Sequence, residues 1–110
     1  MQRIITLTER KTAAAARRAA AVEAIVPVLS AYARDHGGRF LLFGSAARGQ
    51  MKFDSDVDLL MDFPPETLDE AWKFAETACW DRNLKPDLIP YRWCKKAFLE
   101  HVDTDIKVLA

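Results

Sequence analysis

The sequence predicts an α+β fold of the α/β type, with one mixed sheet of three to four strands and helices packed on it. Two observations predict this class. Long stretches with apolar residues at helical spacing alternate with short apolar runs, and Gly, Pro or Asn residues separate them. The predicted helices follow Thr6, follow Thr67 and cover about 92–101, and the predicted strands cover 39–43, about 56–63, 84–89 and part of 104–109.

The first predicted helix has signals at both ends. Thr6 with Glu9 three residues later fits a capping box, and we expect the helix to end near His36, before Gly37. Pro27 lies inside the pattern, which predicts a kink there or a second helix that starts after residues 24–26. The apolar face at helical spacing consists of Val22, Ile25, Val26, Leu29, Tyr32 and Ala33.

The later elements are predicted from similar local signals. Thr67 and Glu70 fit a second capping box, after a Pro-Pro pair has ended the second strand. Pro86 removes one ladder hydrogen bond, so the third strand should lie at an edge of the sheet or contain a break. We expect Trp93, on the last helix, to reach the core.

Composition narrows the class of protein. The 110 residues are half hydrophobic and carry no net formal charge, which predicts one domain over residues 1–110. Neutrality argues against a broad nucleic-acid footprint. Cys79 and Cys94 are too far apart for a C-x-x-C site, so we expect reduced thiols. No signal peptide or membrane-length apolar stretch is present, which predicts a cytoplasmic protein.

A basic cluster lies on the early part of the first helix. It has two interpretations, a solvated helix face or a contact with an acidic partner, and the sequence favours the first. The cluster consists of Arg10, Lys11, Arg17 and Arg18.

The segment between the first two strands carries the residues for chemistry. Gly44-Ser45 follows the first strand, and Asp56 and Asp58 open the second. Alternate side chains of a strand share a face, so both carboxylates should project to one side. Their hard oxygens suit Mg²⁺ or Mn²⁺ with substrate phosphates. We expect Ser45 to cap a short helix whose free N–H groups bind a phosphate. Taken alone, Asp-x-Asp also fits a solvated turn.

Gly44-Ser45, a ten-residue spacer and Asp56-Val57-Asp58 resemble the signature of the DNA polymerase β-like nucleotidyltransferase superfamily. The fuller strings Phe-Gly-Ser-Ala-Ala-Arg-Gly and Ser-Asp-Val-Asp-Leu are most similar to its minimal nucleotidyltransferase (MNT) branch. The resemblance covers about residues 20–110 and implies a small nucleotidyltransferase core, and it leaves the helical lead-in over 1–20 less constrained.

The resemblance also implies roles for the site residues. The Gly-Ser pair would hold the triphosphate of ATP, and the paired aspartates would bind two Mg²⁺ ions. A third catalytic and metal-binding carboxylate comes from a later strand, and Asp87 is the matching residue. Arg48 has two interpretations, neutralisation of the leaving group or a structural salt bridge, and the sequence leaves both open.

The resemblance implies a function as well. MNT proteins of this size are paired with a HEPN-domain toxin, so we expect an antitoxin that transfers AMP from ATP to a partner protein. Acceptor recognition would then come from another chain or a second copy of this one. One alternative is a non-catalytic antitoxin that neutralises its partner by binding. A weaker alternative is transfer to a small acceptor such as an aminoglycoside.

Overall fold

The computed structural model describes residues 6–109, and the first five residues of the predicted lead-in lie outside this range. The elements confirm the predicted α+β class. They are helices α1 (Leu7–His36), α2 (Gly44–Ala47), α3 (Pro65–Trp80) and α4 (Lys96–Val102), and strands β1 (Arg39–Phe43), β2 (Val57–Asp62), β3 (Pro86–Pro90) and β4 (Lys107–Leu109). Single 3-10 turns cover Tyr91–Trp93 and Asp103–Asp105.

Helix α1 begins and ends at the predicted signals. The Thr6 hydroxyl accepts a hydrogen bond of 3.1 Å from the Glu9 N–H, and Gly37 ends the helix with a left-handed φ of +67°. The prediction of a second helix after residues 24–26 is wrong, because α1 runs without interruption through Pro27. Pro27 is exposed, while Ile25 and Leu29 are buried on either side of it. The buried face therefore continues across the proline and holds the helix together. Within residues 6–109 no helix combines the length and the apolarity that crossing a membrane requires.

The sheet has the strand order β3-β2-β1-β4. Strand β1 lies antiparallel to both β2 and β4, and β2 lies parallel to β3. The parallel pair needs a crossover connection, which α3 supplies. Strand β3 lies at an edge, as Pro86 predicts, and it ends in a second proline, Pro90. The prolines thus lie where fewer ladder hydrogen bonds are needed.

Alternate residues of the strands pack on opposite faces of the sheet. The larger cluster contains Leu42, Val57 and Leu59 and lies under α1 and α3. A smaller cluster contains Leu41 and Leu60, and residues of α4 pack on it. Both faces are therefore covered, which explains the continuous apolar runs at 40–43 in β1 and 59–61 in β2.

Two helix starts differ from the predictions. Helix α3 begins at Pro65 rather than after Thr67, whose hydroxyl lies in the first turn and donates to the Pro64 carbonyl over 3.2 Å. A proline at the first helical position needs no N–H partner, so Pro65 suits the start better than the predicted capping box.

The last helix is also shorter than predicted. Residues 91–93 form a separate 3-10 turn, and the extended backbone of Cys94 and Lys95 divides it from α4. The predicted core position of Trp93 is wrong, since 70% of its surface is exposed.

We expect Leu29→Ala to lower the free energy of unfolding by about 2–5 kcal/mol, because this fully buried side chain would leave a cavity under α1. Leu7→Ala is the matched control in the same helix. Leu7 is 68% exposed, so its loss should change stability by less than about 0.5 kcal/mol. Urea denaturation followed by circular dichroism measures both. Equal losses in the two variants would contradict the packing of α1 described here.

Candidate active site

Gly44 brings the backbone into direct contact with an acidic side chain. It lies immediately after β1 and has a φ of +70°, a conformation that glycine adopts without strain. The β1–β2 ladder sets Phe43 opposite Asp58. A side chain at position 44 would overlap the Asp58 Oδ2 atom. Glycine is therefore required here for two reasons, the left-handed turn and the approach of the carboxylate.

Asp58 and Asp87 lie side by side on parallel strands. The β2–β3 ladder pairs them in register, so both side chains leave the same face of the sheet. The pKa of Asp58 is raised from 3.8 to about 6, mainly by burial and then by the charge of Asp87 and a hydrogen bond with it. Asp87 was expected to face the paired aspartates, and the strand register places it beside one of them, Asp58.

Asp56 differs from Asp58 in its surroundings. It precedes β2 and is exposed, so the argument from strand alternation does not apply to it directly. Its charge nevertheless contributes to the raised pKa of Asp58. Asp58 and Asp87 are thus paired at this end of β2 and β3, and Asp56 lies just before β2.

Ser45 does not cap α2. The helix begins at Gly44 with Phe43 as its N-cap, and the Gln50 N–H donates to the Ser45 carbonyl over 2.8 Å. These bonds place Ser45 inside the first turn, so the predicted cap is wrong. Its hydroxyl lies 3.9 Å from the Met51 sulfur, which is a weak acceptor. The hydroxyl thus has no strong partner within the described part of the chain.

Arg48 makes a salt bridge and also acts on the acidic cluster. Its Nη1 atom lies 3.2 Å from the Asp105 Oδ2 atom, and its Nε atom donates to Gln50 over 3.4 Å. Its charge also lowers the pKa of Asp58, against the other influences there. Sequence reasoning missed Asp105, which lies far from Arg48 in the sequence and carries no motif.

The carboxylates fit a hard divalent cation by their chemistry. Asp58, Asp87 and Asp56 supply only oxygen donors, and their mutual repulsion is what a cation would relieve. Within residues 6–109, however, no three His, Cys, Asp or Glu side chains already converge in a metal-binding arrangement. The donor set is therefore suitable, and the exposed Asp56 would have to approach the other two.

Comparison with known protein families shows which family this chain belongs to. The nucleotidyltransferase domain model matches residues 25–108, which is most of the chain. This chain belongs to the nucleotidyltransferase domain family. The match contains Gly44, Asp58 and Asp87 and begins within α1, so the first half of that helix lies outside it. Neither the curated proteins nor the solved structures gave a significant match.

We expect Gly44→Ala to lower the free energy of unfolding by clearly more than Gly37→Ala. Both glycines have a left-handed φ, so both variants lose about 1 kcal/mol for backbone strain. Only the side chain at position 44 would also overlap Asp58, since position 37 has nothing within 4 Å. Thermal unfolding of the two variants side by side measures the difference. Equal losses would contradict the contact between Gly44 and Asp58.

The raised pKa of Asp58 predicts how stability depends on pH in the absence of divalent ions. Its folded pKa of about 6 exceeds the ordinary value of 3.8, so its stabilising contribution is complete below pH 3.8 and is lost as the pH rises through 6. The free energy of unfolding should therefore fall between pH 5 and 7 by more in the native chain than in Asp58→Asn. Urea titrations in EDTA at several pH values test this. Parallel profiles for the two proteins would show that Asp58 has no raised pKa.

Proposed function

We propose that this nucleotidyltransferase is an MNT antitoxin that transfers AMP from ATP to a hydroxyl of a partner protein, a HEPN-type toxin. The observation that carries the catalytic part is the pairing of Asp58 with Asp87 beside Gly44. Two adjacent carboxylates next to a tight glycine turn suit phosphoryl transfer. The carboxylates would hold cations, and the cations would stabilise the negative charge of the phosphates. The family match supports the transferase class.

The nucleotide end of the site would be formed by the turn after β1. The backbone around Gly44 and the Ser45 hydroxyl would bind phosphate oxygens, since within residues 6–109 that hydroxyl has the Met51 sulfur alone as a partner. Asp56, Asp58 and Asp87 would hold Mg²⁺. When bound, divalent ions would supply Lewis-acid stabilisation of the phosphates and lower the pKa of the attacking hydroxyl.

The acceptor end would be formed at β3. Asp87 is more exposed than Asp58 and can therefore meet an incoming hydroxyl. In the proposed step the hydroxyl oxygen forms a bond to the α-phosphorus, and the bond to the bridging oxygen breaks. Pyrophosphate leaves, and the hydroxyl proton passes to the Asp87 carboxylate. The paired strands hold this carboxylate beside Asp58.

Arg48 would combine the two roles that the sequence left open. Its ion pair with Asp105 fixes the guanidinium, and its charge still reaches the acidic cluster. A fixed cation at this point would offset negative charge as pyrophosphate departs. The salt bridge would thus orient Arg48 for that task.

A protein acceptor is supported by the exposed apolar surface near the site. Trp93 lines a groove with Ile89, Cys94 and Phe98 at the end of β3, the strand that carries Asp87. Exposed aromatic side chains of this kind are common in protein–protein contacts. A partner that covers Trp93 would therefore bring a hydroxyl towards Asp87.

Transfer of the nucleotide should depend on Asp58 in particular and not on the nearby exposed Asp54. The purified chain is incubated with Mg²⁺ and α-phosphate-labelled ATP in a lysate of the source cell, and label on protein bands is measured. We expect Asp58→Asn to lower labelling by at least about 100-fold, the scale of lost metal-assisted charge stabilisation. Asp54→Asn is the matched control, because Asp54 is an exposed aspartate of the same loop. It should label normally.

The outcomes separate the two proposed mechanisms of neutralisation. A band labelled by the native chain and by Asp54→Asn, and lost with Asp58→Asn or EDTA, supports transfer and reveals the acceptor. Equal labelling by Asp58→Asn would refute the assigned site. If no nucleotide gives label while the chain still binds one specific partner, the non-catalytic antitoxin is the better description.

A further inference from the structure

A second cleft lies outside the acidic site, between the first half of α1 and the turn that follows α3. Its volume is about 490 Å³, which is within the range of small-ligand sites. It is open to solvent on one side. The residues that line it are Ala14, Arg17, Arg18, Phe53, Arg82 and Asn83.

The cationic side chains of this cleft are not neutralised by neighbours. Arg17, Arg18 and Arg82 take part in none of the ion pairs that residues 6–109 form. The Arg18 Nε atom is buried and has no hydrogen-bond partner, although buried donors are normally paired. Arg82 uses its Nη1 atom to bind the Ala78 carbonyl over 2.9 Å and keeps its other donors. The cleft therefore carries three positive charges in a chain with no net charge.

The cleft lies at the same end of the sheet as the acidic site. Val22 lines a pocket with Leu42 and Ala46, whereas Tyr32 packs on Phe40, so α1 runs antiparallel to β1. The residues before Val22 hence extend beyond the sheet at the end where Gly44 follows β1. Phe53 belongs to the loop that continues into Asp56.

The cleft and the acidic site lie on opposite faces of the sheet. Asp58 alternates with Val57 and Leu59, which point into the cluster under α1 and α3. The acidic site is therefore on the α4 side, while the cleft is on the α1 side. A ligand bound in the cleft would be a separate ligand from one held by the aspartates.

We propose that this cleft binds the phosphate groups of a nucleotide, either free or within a single-stranded nucleic acid. Guanidinium groups match phosphate oxygens with paired donors. Phe53 is 40% exposed and offers an aromatic surface on which a base can stack. The Lys11 Nζ atom lies 4.9 Å from the centre of this ring and adds a positive charge beside it. The Asn83 side chain adds an amide that can bind a base edge. A carboxylate of an acidic peptide would use the arginines but not the aromatic ring.

Binding can be measured without catalysis. A fluorescein-labelled single-stranded RNA of about six nucleotides, a length typical of single-strand sites, is titrated with the chain in EDTA and its anisotropy is recorded. The variants are Arg17→Gln and Arg18→Gln. Arg10→Gln is the matched control, because Arg10 is an exposed arginine of the same helix that does not line the cleft. Circular dichroism verifies that each variant is folded.

We expect each cleft variant to weaken binding about 10-fold, the usual scale for a charged hydrogen bond. The slope of log affinity against log salt should also fall by about 0.7 for each lost phosphate contact. Arg10→Gln should stay within about two-fold of the native chain, since solvated charges contribute little. An equal loss in Arg10→Gln would overturn the site.

Competing ligands identify the source of the phosphate and test the ligand class. If AMP displaces the RNA, the cleft takes free nucleotides; if only unlabelled RNA does so, it takes a chain. Both results support the proposal. Displacement by polyglutamate but by neither nucleotide ligand would overturn it in favour of an acidic protein segment.

The Asp58→Asn variant separates this proposal from the proposed function. It should bind the RNA as the native chain does, whatever happens to its transfer activity. If Asp58→Asn alters binding in EDTA as strongly as Arg18→Gln, the RNA occupies the acidic site and the cleft is not its binding site. A failed transfer assay together with intact cleft binding would refute the first proposal and leave this one standing.

Discussion

The parallel pairing of β2 with β3 is the constraint on which the rest of the structure depends. It holds Asp58 and Asp87 side by side, although their charges repel. The backbone ladder and the buried neighbours of Asp58 on β2 supply the opposing stability, because Val57 and Leu59 are fully buried. Parallel strands require a crossover, so α3 exists where it does for the same reason. The structure therefore keeps a locally unfavourable pair of charges in place through contacts elsewhere.

Much of this arrangement could be predicted because the signals are local. Three features are visible in the sequence itself: the glycine that ends α1, the proline in the edge strand β3, and the apolar runs of strands that are covered on both faces. The site residues Gly44 and Asp58 could be predicted as well, since both residues lie in one short segment. The position of Asp87 required one further inference. If Leu84 and Leu88 pack into the core, the opposite face of the strand, which carries Asp87, faces the carboxylates. The paired register confirms that placement.

The remaining features depend on contacts that sequence spacing does not carry. Pro27 is a helix breaker by propensity, yet the buried residues on both sides of it hold α1 in one piece. Thr67 matched a cap, but a proline two residues earlier suited the helix start better. The Arg48–Asp105 pair joins distant parts of the chain. The cleft arginines come from α1 and from the turn after α3, so only the folded chain brings them together.

The two prolines of β3 have a consequence for how other chains can attach to this protein. An exposed sheet edge is normally a template onto which a neighbouring chain adds its own strand. Pro86 and Pro90 carry no N–H, so two of the five residues of this edge strand offer no hydrogen-bond donor to an added strand. Addition of a strand at the β3 side is therefore disfavoured. The same feature guards the edge against the uncontrolled strand pairing that leads to aggregation.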